Sequence, residues 1–364
     1  MNVNFQLETP RLVAEAREAK KGWNWFVELL VFVVMFFVVT IGEVLVMLPI
    51  ELAVMFTDKE YLEAAAAQDM DALVAAATRI ASSDALMIGM LFANIAMILL
   101  TMLFCKVIQK RKMRTLGFVK KDMFKEYGIG LVVGFAIFTI AVLLCMITGS
   151  LKLGVAGNFA LGTWILFGLG YMIQGMAEEV LCRSYFMVSL ARRYPMWVAV
   201  ILNALFFAAL HLGNSGISAL AFVNLTLFGV FASVYFIKRG NIWGIGAIHS
   251  IWNFVQGNFY GIKVSGMESS CSVFASAMTE GRDLIHGGAF GLEGGLAVTI
   301  VLVAGTLYLL TKPAKDAVEE IAEAETTAEE SVVPETEETV AEATVEASAE
   351  TVAEPASEEE AAIE

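Results

Sequence analysis

Histidine and proline are scarce in this chain, with three and six copies in 364 residues, and its four cysteines (Cys105, Cys145, Cys182, Cys271) form no CxxC pair and no zinc-ribbon spacing. That excludes a structural zinc module and leaves the cysteines as small buried apolar residues, most of them in or beside apolar runs. Neither GxSxG nor HExxH occurs, so neither the strand-to-helix serine nucleophile nor the zinc-protease helix is signalled. Charge is thin as well, at 17% of residues, while 58% are hydrophobic and mean hydropathy is +0.70. Ordinary soluble domains hold roughly 45 to 50% apolar residues, so the composition points to a polytopic membrane protein. A cleavable signal is not expected: some 25 mostly polar residues precede the first apolar run, and no small-residue cleavage site follows it.

The present apolar residues fall into windows long enough to cross a bilayer, at 26–55, 85–105, 128–149, 159–181, 196–212, 218–237, 242–260 and 292–311. The expected fold is therefore an all-α polytopic membrane protein of about eight transmembrane helices. Basic residues cluster at Arg17/Lys20/Lys21, at Lys106 through Lys121, at Arg192/Arg193, at Lys238/Arg239 and at Lys312/Lys315. With eight spans all of these fall on one side, which the positive-inside rule makes cytoplasmic, together with both termini. Residues 60–80 are rich in Ala with acids at helical spacing and predict a short surface helix. The formal charge of -14 belongs to the end of the chain, where residues 313–364 hold 18 acids against one Lys and no aromatic residue. Such a segment cannot bury enough apolar surface to offset its ordering, so an acidic disordered tail is expected over 312–364.

Within the apolar runs lie three polar groups: Glu178-Glu179 with Arg183, Phe207 with His211, and His249 with Asn253. An ionisable side chain at the centre of a membrane helix costs roughly 2.5 to 3.5 kcal/mol, so each requires a reason. Glu179 and Arg183 are four apart, on one helix face with the acid N-terminal, which lets Arg183 neutralise Glu179 and leaves Glu178 free to accept a proton. Phe207 and His211 share the same spacing, as do His249 and Asn253. Counted from the basic anchors at ~1.5 Å per residue, Glu178, His211 and His249 reach ~22, ~25 and ~15 Å in, so all three can meet inside the bilayer.

One carboxylate, two imidazoles and a carboxamide suit hydrolysis: a glutamate beside an imidazole can take a proton from attacking water, and a His/Asn pair can donate to the oxyanion. Cys182, four after Glu178, would be made less acidic by that neighbour, and water is the better nucleophile. The alternative is a divalent metal such as zinc on Glu178, His211 and His249, with no cofactor as the simpler reading.

The three motifs EExxxR, FxxxH and HxxxN, in that order, resemble the signature of the CPBP family, which comprises the type II CAAX prenyl endopeptidases and the Abi bacteriocin-processing and immunity proteins. The flanks Arg114-Thr115-Leu116-Gly117-Phe118 and Arg239-Gly240-Asn241-Ile242-Trp243 are similar to the family's as well, so the resemblance covers about 114–260. It implies an eight-helix intramembrane endopeptidase, with Glu178 and His211 activating water, His249 and Asn253 forming the oxyanion site, and Glu179, Arg183 and Phe207 in support. The domain reading becomes a cytoplasmic segment 1–25, a membrane-embedded protease domain 26–311, and the tail. Expected partners are the lipid bilayer and a membrane-tethered, CAAX-type lipidated or small secreted peptide, with no nucleic acid, in a bacterial cell membrane. The competing readings are a non-enzymatic immunity or scaffold protein using the same helices, and a transporter with Glu178 as proton relay. Among other polar residues, Asn203, Asn224 and Glu43 read mainly as helix-to-helix hydrogen bonds, Tyr171, Gln174 and Tyr185 as packing or an access path, and His286 as a solvated loop histidine.

Overall fold

The computed structural model of the protein describes Leu7 and residues 9–315, so the expected disorder of the acidic tail lies outside the described residues. The chain opens with α1 (Arg11–Ala19), which buries Leu12, Val13 and Ala16, and continues into α2 (Trp25–Thr57), started by Asn24, whose side chain accepts from the Val27 N–H. Two short helices follow, α3 (Lys59–Ala67) and α4 (Met70–Ala81), in place of the single surface helix expected there. Gln68, in the left-handed region at φ 55°, breaks the run, and Asp69 caps the second helix through the Ala72 N–H.

The next helices are α5 (Asp84–Ala93) and α6 (Ile95–Val107), which adjoin at Asn94, and α7 (Met123–Ile147). After strand β1 (Leu151–Val155) comes α8 (Leu161–Glu179), which runs through a π-helical stretch at Val180–Met187 into α9 (Val188–Ala191). The bundle is completed by α10 (Met196–Ala209), α11 (Ala219–Arg239), α12 (Trp243–Phe254) with a π-helical extension to Phe259, strand β2 (Phe274–Met278), α13 (Asp283–His286) and α14 (Leu296–Leu310).

Five stretches, 25–57, 84–107, 123–147, 161–191 and 219–239, are long and apolar enough to cross a membrane, and α10, α12 and α14 occupy the remaining apolar windows. In hydrocarbon only a helix or a closed barrel satisfies every backbone group, which is why these runs are helical despite their many β-branched residues. α2 is peripheral, with 17% of its apolar window buried, whereas α11 is central at 67%. The fourth window extends ten residues further than the hydropathy suggested, because Arg183, Ser184 and Ser189 are buried within the bundle.

The basic clusters gather at one end. There Arg192 Nε donates to Lys20 O (2.8 Å), Arg17 Nε to Ala191 O (2.9 Å), and Arg239 and Lys315 both pair with Glu126 (2.6 and 3.2 Å). At the other end β1 and β2 pair antiparallel, Leu151 opposite Met278, in a two-stranded ribbon that helical periodicity could not disclose.

Three close approaches fix α12. Its N-terminal flank docks on the segment before α7: Ile242 N donates to Gly117 O (3.0 Å), Trp243 Nε1 donates to Val119 O (2.7 Å), and the Phe118 and Trp243 rings meet edge to face. Gly117 adopts φ 83°, and a side chain there would strike Ile242. Along its length α12 lies directly on glycines of α7 and α8, since a Cβ at Gly130 would sit 2.2 Å from Gly244 O, and one at Gly175 would sit 2.4 Å from Ser250 N. The small residues let the backbones touch, as membrane helix packing favours.

Candidate active site

The EExxxR motif straddles the change from α to π winding, a wide turn of the kind that collects at functional sites. Glu178 stays on the open side, its side chain 23% exposed, while Glu179 and Arg183 are fully buried and paired at 3.0 Å. Arg183 also stacks its guanidinium over the Phe207 ring at 4.4 Å, a second interaction for a cation removed from water. Glu179 does more than the spacing suggested, because the same Oε1 also receives His249 Nδ1 at 2.8 Å. A carboxylate that meets Nδ1 leaves Nε2 as the ring nitrogen turned elsewhere, and Nε2 lies 3.7 Å from Glu178 Oε2.

Gln174, one helical turn before Glu178, donates through Nε2 to Glu178 Oε1 and accepts Asn253 Nδ2 at 2.9 Å. It is therefore the hinge of the polar cluster, joining α8 to α12, and the only sequence signal for it was its shared face with Glu178. His211 lies just past the end of α10, its ring against Phe207 (centroids 4.9 Å apart) and its Nδ1 at 2.9 Å from Phe207 O. If Nδ1 carries the proton for that carbonyl, Nε2 is left as an acceptor. His249, rather than His211, is the imidazole within ion-pair distance of Glu178.

Apart from the buried Glu179 and Arg183, these groups face one cavity of about 180 Å³. Its wall takes Glu178, Gln174 and Tyr171 from α8, Phe207 and His211 from α10 and its following turn, Phe228 from α11, and His249 and Asn253 from α12. Apolar faces of α5 and α14, among them Met87, Leu91, Val298 and Leu302, complete it. The loop between α12 and α14 also contributes, through Ser265 and Glu293, which sequence reasoning passed over because that loop carries no helical pattern.

Several expectations change. No group of three His, Cys, Asp or Glu side chains that could hold a metal ion occurs among the described residues. His286 is buried, 2% exposed, its Nε2 at Thr279 O and its Nδ1 accepting from Gly288 N, instead of being solvated. Tyr185 packs between Phe32 and Phe104, away from the cavity. Asn203 bonds Ser233 on α11, a helix-to-helix hydrogen bond, whereas Asn224 lines the cavity while holding the backbone at Glu293 and Gly295. Glu43 of α2 keeps Oε1 buried with no hydrogen-bond partner among the described residues. The four cysteines are free and buried.

A helical membrane bundle that gathers a carboxylate, two imidazoles and a carboxamide around one cavity holds the groups that hydrolysis requires. Residues 160–255 match the family model described as type II CAAX prenyl endopeptidase Rce1-like, the family that the three motifs resemble. The matched segment contains Glu178, Glu179, Arg183, Phe207, His211, His249 and Asn253, and at the level of the family it implies a CAAX-type intramembrane endopeptidase. No curated protein and no solved structure matches the chain.

Proposed function

We propose that this protein is a metal-independent, glutamate-type intramembrane endopeptidase, in which Glu178 activates the water that attacks a peptide carbonyl. The observation that carries the reading is the state of Glu178: a carboxylate oriented by Gln174, open to the cavity, and set apart from the buried Glu179–Arg183 pair. Glu178 accepts the water's proton as the water oxygen bonds to the carbonyl carbon. His211, whose Nδ1 is turned to Phe207 O, offers Nε2 to the same water and steadies it. His249 as the imidazolium, its Nδ1–H on Glu179 and its Nε2–H free, and Asn253, held by Gln174, present N–H groups to the carbonyl oxygen as negative charge develops there. The proton on Glu178 then passes to the departing amine, which leaves the carboxyl product and regenerates the base. Preorganised donors in a water-poor cavity act more strongly than in bulk solvent.

The substrate is a peptide segment of a membrane-tethered protein, such as a CAAX-type lipidated chain, or a small secreted peptide. The apolar wall opposite the polar groups accommodates the flanking side chains. The gathered basic residues support a cytoplasmic assignment for that end of the bundle.

The test compares the membrane and secreted peptides of cells carrying wild type or Glu178→Gln, followed by cleavage of the identified peptide by purified protein with and without chelator. Glu178→Gln accumulates normally and loses cleavage, and the wild-type rate is unchanged by chelator. Unchanged peptide processing in Glu178→Gln would return the immunity or scaffold reading, and a chelator-sensitive rate would return the metal.

A further inference from the structure

Glu293 is a buried carboxylate on the same cavity as Glu178 and His211, yet it belongs to the loop before α14, outside the matched segment and every motif. Its Oε2 accepts two hydrogen bonds from one residue, the Ser265 N–H at 2.7 Å and the Ser265 hydroxyl at 2.8 Å. Ser265 O in turn accepts from Asn214 Nδ2 (3.1 Å), and the Asn214 N–H closes the turn on His211 O (3.0 Å). An unbroken polar chain therefore runs from Glu293 through Ser265 and Asn214 to the backbone of His211. That turn gains an anchor beyond the helix, since His211 follows the last helical residue of α10 and its N–H reaches back only to Ala208 O (3.1 Å). The loop holding Glu293 is itself packed against backbone: Gly291 adopts φ 99°, where a Cβ would sit 2.0 Å from Lys263 O. Asn224 ties Glu293 O to α11 at 2.8 Å.

The Glu293 carboxylate and the His211 imidazole line the same cavity. The other charged or titratable groups on the cavity wall are Glu178, His249 and Tyr171, with Arg183 behind the Phe207 ring on which His211 rests. His211 accepts a hydrogen bond from the attacking water while Glu178 takes the proton, so partial positive charge builds on the ring, and a carboxylate on the same cavity wall lowers the energy of that state more than of the resting one.

We propose that Glu293 is a positioning residue for the hydrolytic reaction, anchoring the turn that bears His211 and supplying the negative charge that its imidazole requires as it polarises water. This rests on the reading of Glu178 and His211 as the water-activating pair.

The experiment uses the full chain in proteoliposomes and a peptide established as cleaved by wild type. Glu293→Gln keeps an oxygen that can accept from Ser265 while removing the charge; it lowers kcat about ten- to a hundredfold, with KM and the melting temperature near wild type. Ser265→Ala, which removes one anchoring bond and no charge, loses less than Glu293→Gln, and Glu293→Asp recovers part of the rate. A Glu293→Gln enzyme with wild-type kcat overturns the inference. So does a loss matched in Ser265→Ala and accompanied by a fall in melting temperature, since that is an anchor alone. Glu178→Gln run in parallel separates the two levels: if it is inactive while Glu293→Gln is fully active, the endopeptidase reading stands and this inference falls. If Glu178→Gln still cleaves, the underlying reading has failed.

Discussion

The backbone contact between α8 and α12 beside the site yields the sharpest prediction, Gly175→Ala. Gly175 lies on α8 one turn before Glu178 and Glu179, and a Cβ built there sits 2.4 Å from Ser250 N and 2.6 Å from Ser250 Cα, backbone atoms that cannot swing aside. Ordinary contact begins near 3.4 Å, so α8 and α12 must separate locally by about 1 Å. Ser250 adjoins His249, whose 2.8 Å bond to Glu179 joins the same two helices. A displacement of that size carries the bond past the ~3.2 Å limit of good geometry. Overpacking costs about 1 to 3 kcal/mol, offset by the roughly 1 kcal/mol that Ala gains over Gly within a helix. The fold therefore survives with a net loss of about 0 to 2 kcal/mol. Cleavage falls about a hundredfold, the loss expected for a 1 Å misplacement of reacting groups.

The assay is the rate of peptide cleavage in proteoliposomes beside the melting temperature of the same preparation. Gly168→Ala is the control on the same helix, because its Cβ meets only the Phe254 ring at 3.4 Å. It should retain full activity and gain up to about 1 kcal/mol. A Gly175→Ala enzyme that cleaves within about threefold of wild type would refute the claim that this contact sets the geometry of His249.

Two further outcomes follow from charged pairs. Glu179→Gln leaves Arg183 buried beside a neutral amide and slackens His249, so a loss of about 3 to 5 kcal/mol is expected together with loss of cleavage; unchanged thermal unfolding would contradict the pairing. Outside the membrane, the side-chain hydrogen bonds from Arg79, then the Tyr61 N–H, hold the Asp58 carboxyl below its ordinary value. A lowered folded-state pKa means the contribution is present above the unfolded carboxylate value and is lost as pH falls through the folded one. Amide protection over 59–81 should thus hold from neutral pH into the carboxylate range and decline below it. Arg79→Ala should lower that protection already at neutral pH, and hydrogen exchange equal to wild type there would refute the tether.

The spans were legible because hydrocarbon imposes a single requirement, about 20 apolar residues per crossing with every backbone group paired. The eight windows correspond to the observed helices, and the ion pair between Glu179 and Arg183 follows from helical spacing alone. What was not legible depends on contacts between distant segments. The β1–β2 ribbon pairs residues more than a hundred positions apart, and the burial of His286 depends on the fold of its own loop. Gln174 illustrates the boundary: its place one turn from Glu178 is in the sequence, but its bond to Asn253 exists only once α8 and α12 touch through Gly175 and Ser250.

By itself, then, the sequence determined the helical class, the approximate spans and the residue types of the site, since solvent exclusion and helix periodicity act on local sequence. Tertiary structure alone decided that His249 answers to Glu179, that His211 is held from beyond the end of its helix, and that Glu293 reaches the cavity. The physical reason is that a hydrogen bond is settled within a few tenths of an ångström, and only the packing of glycine-lined helices and the closing loop fixes positions that finely.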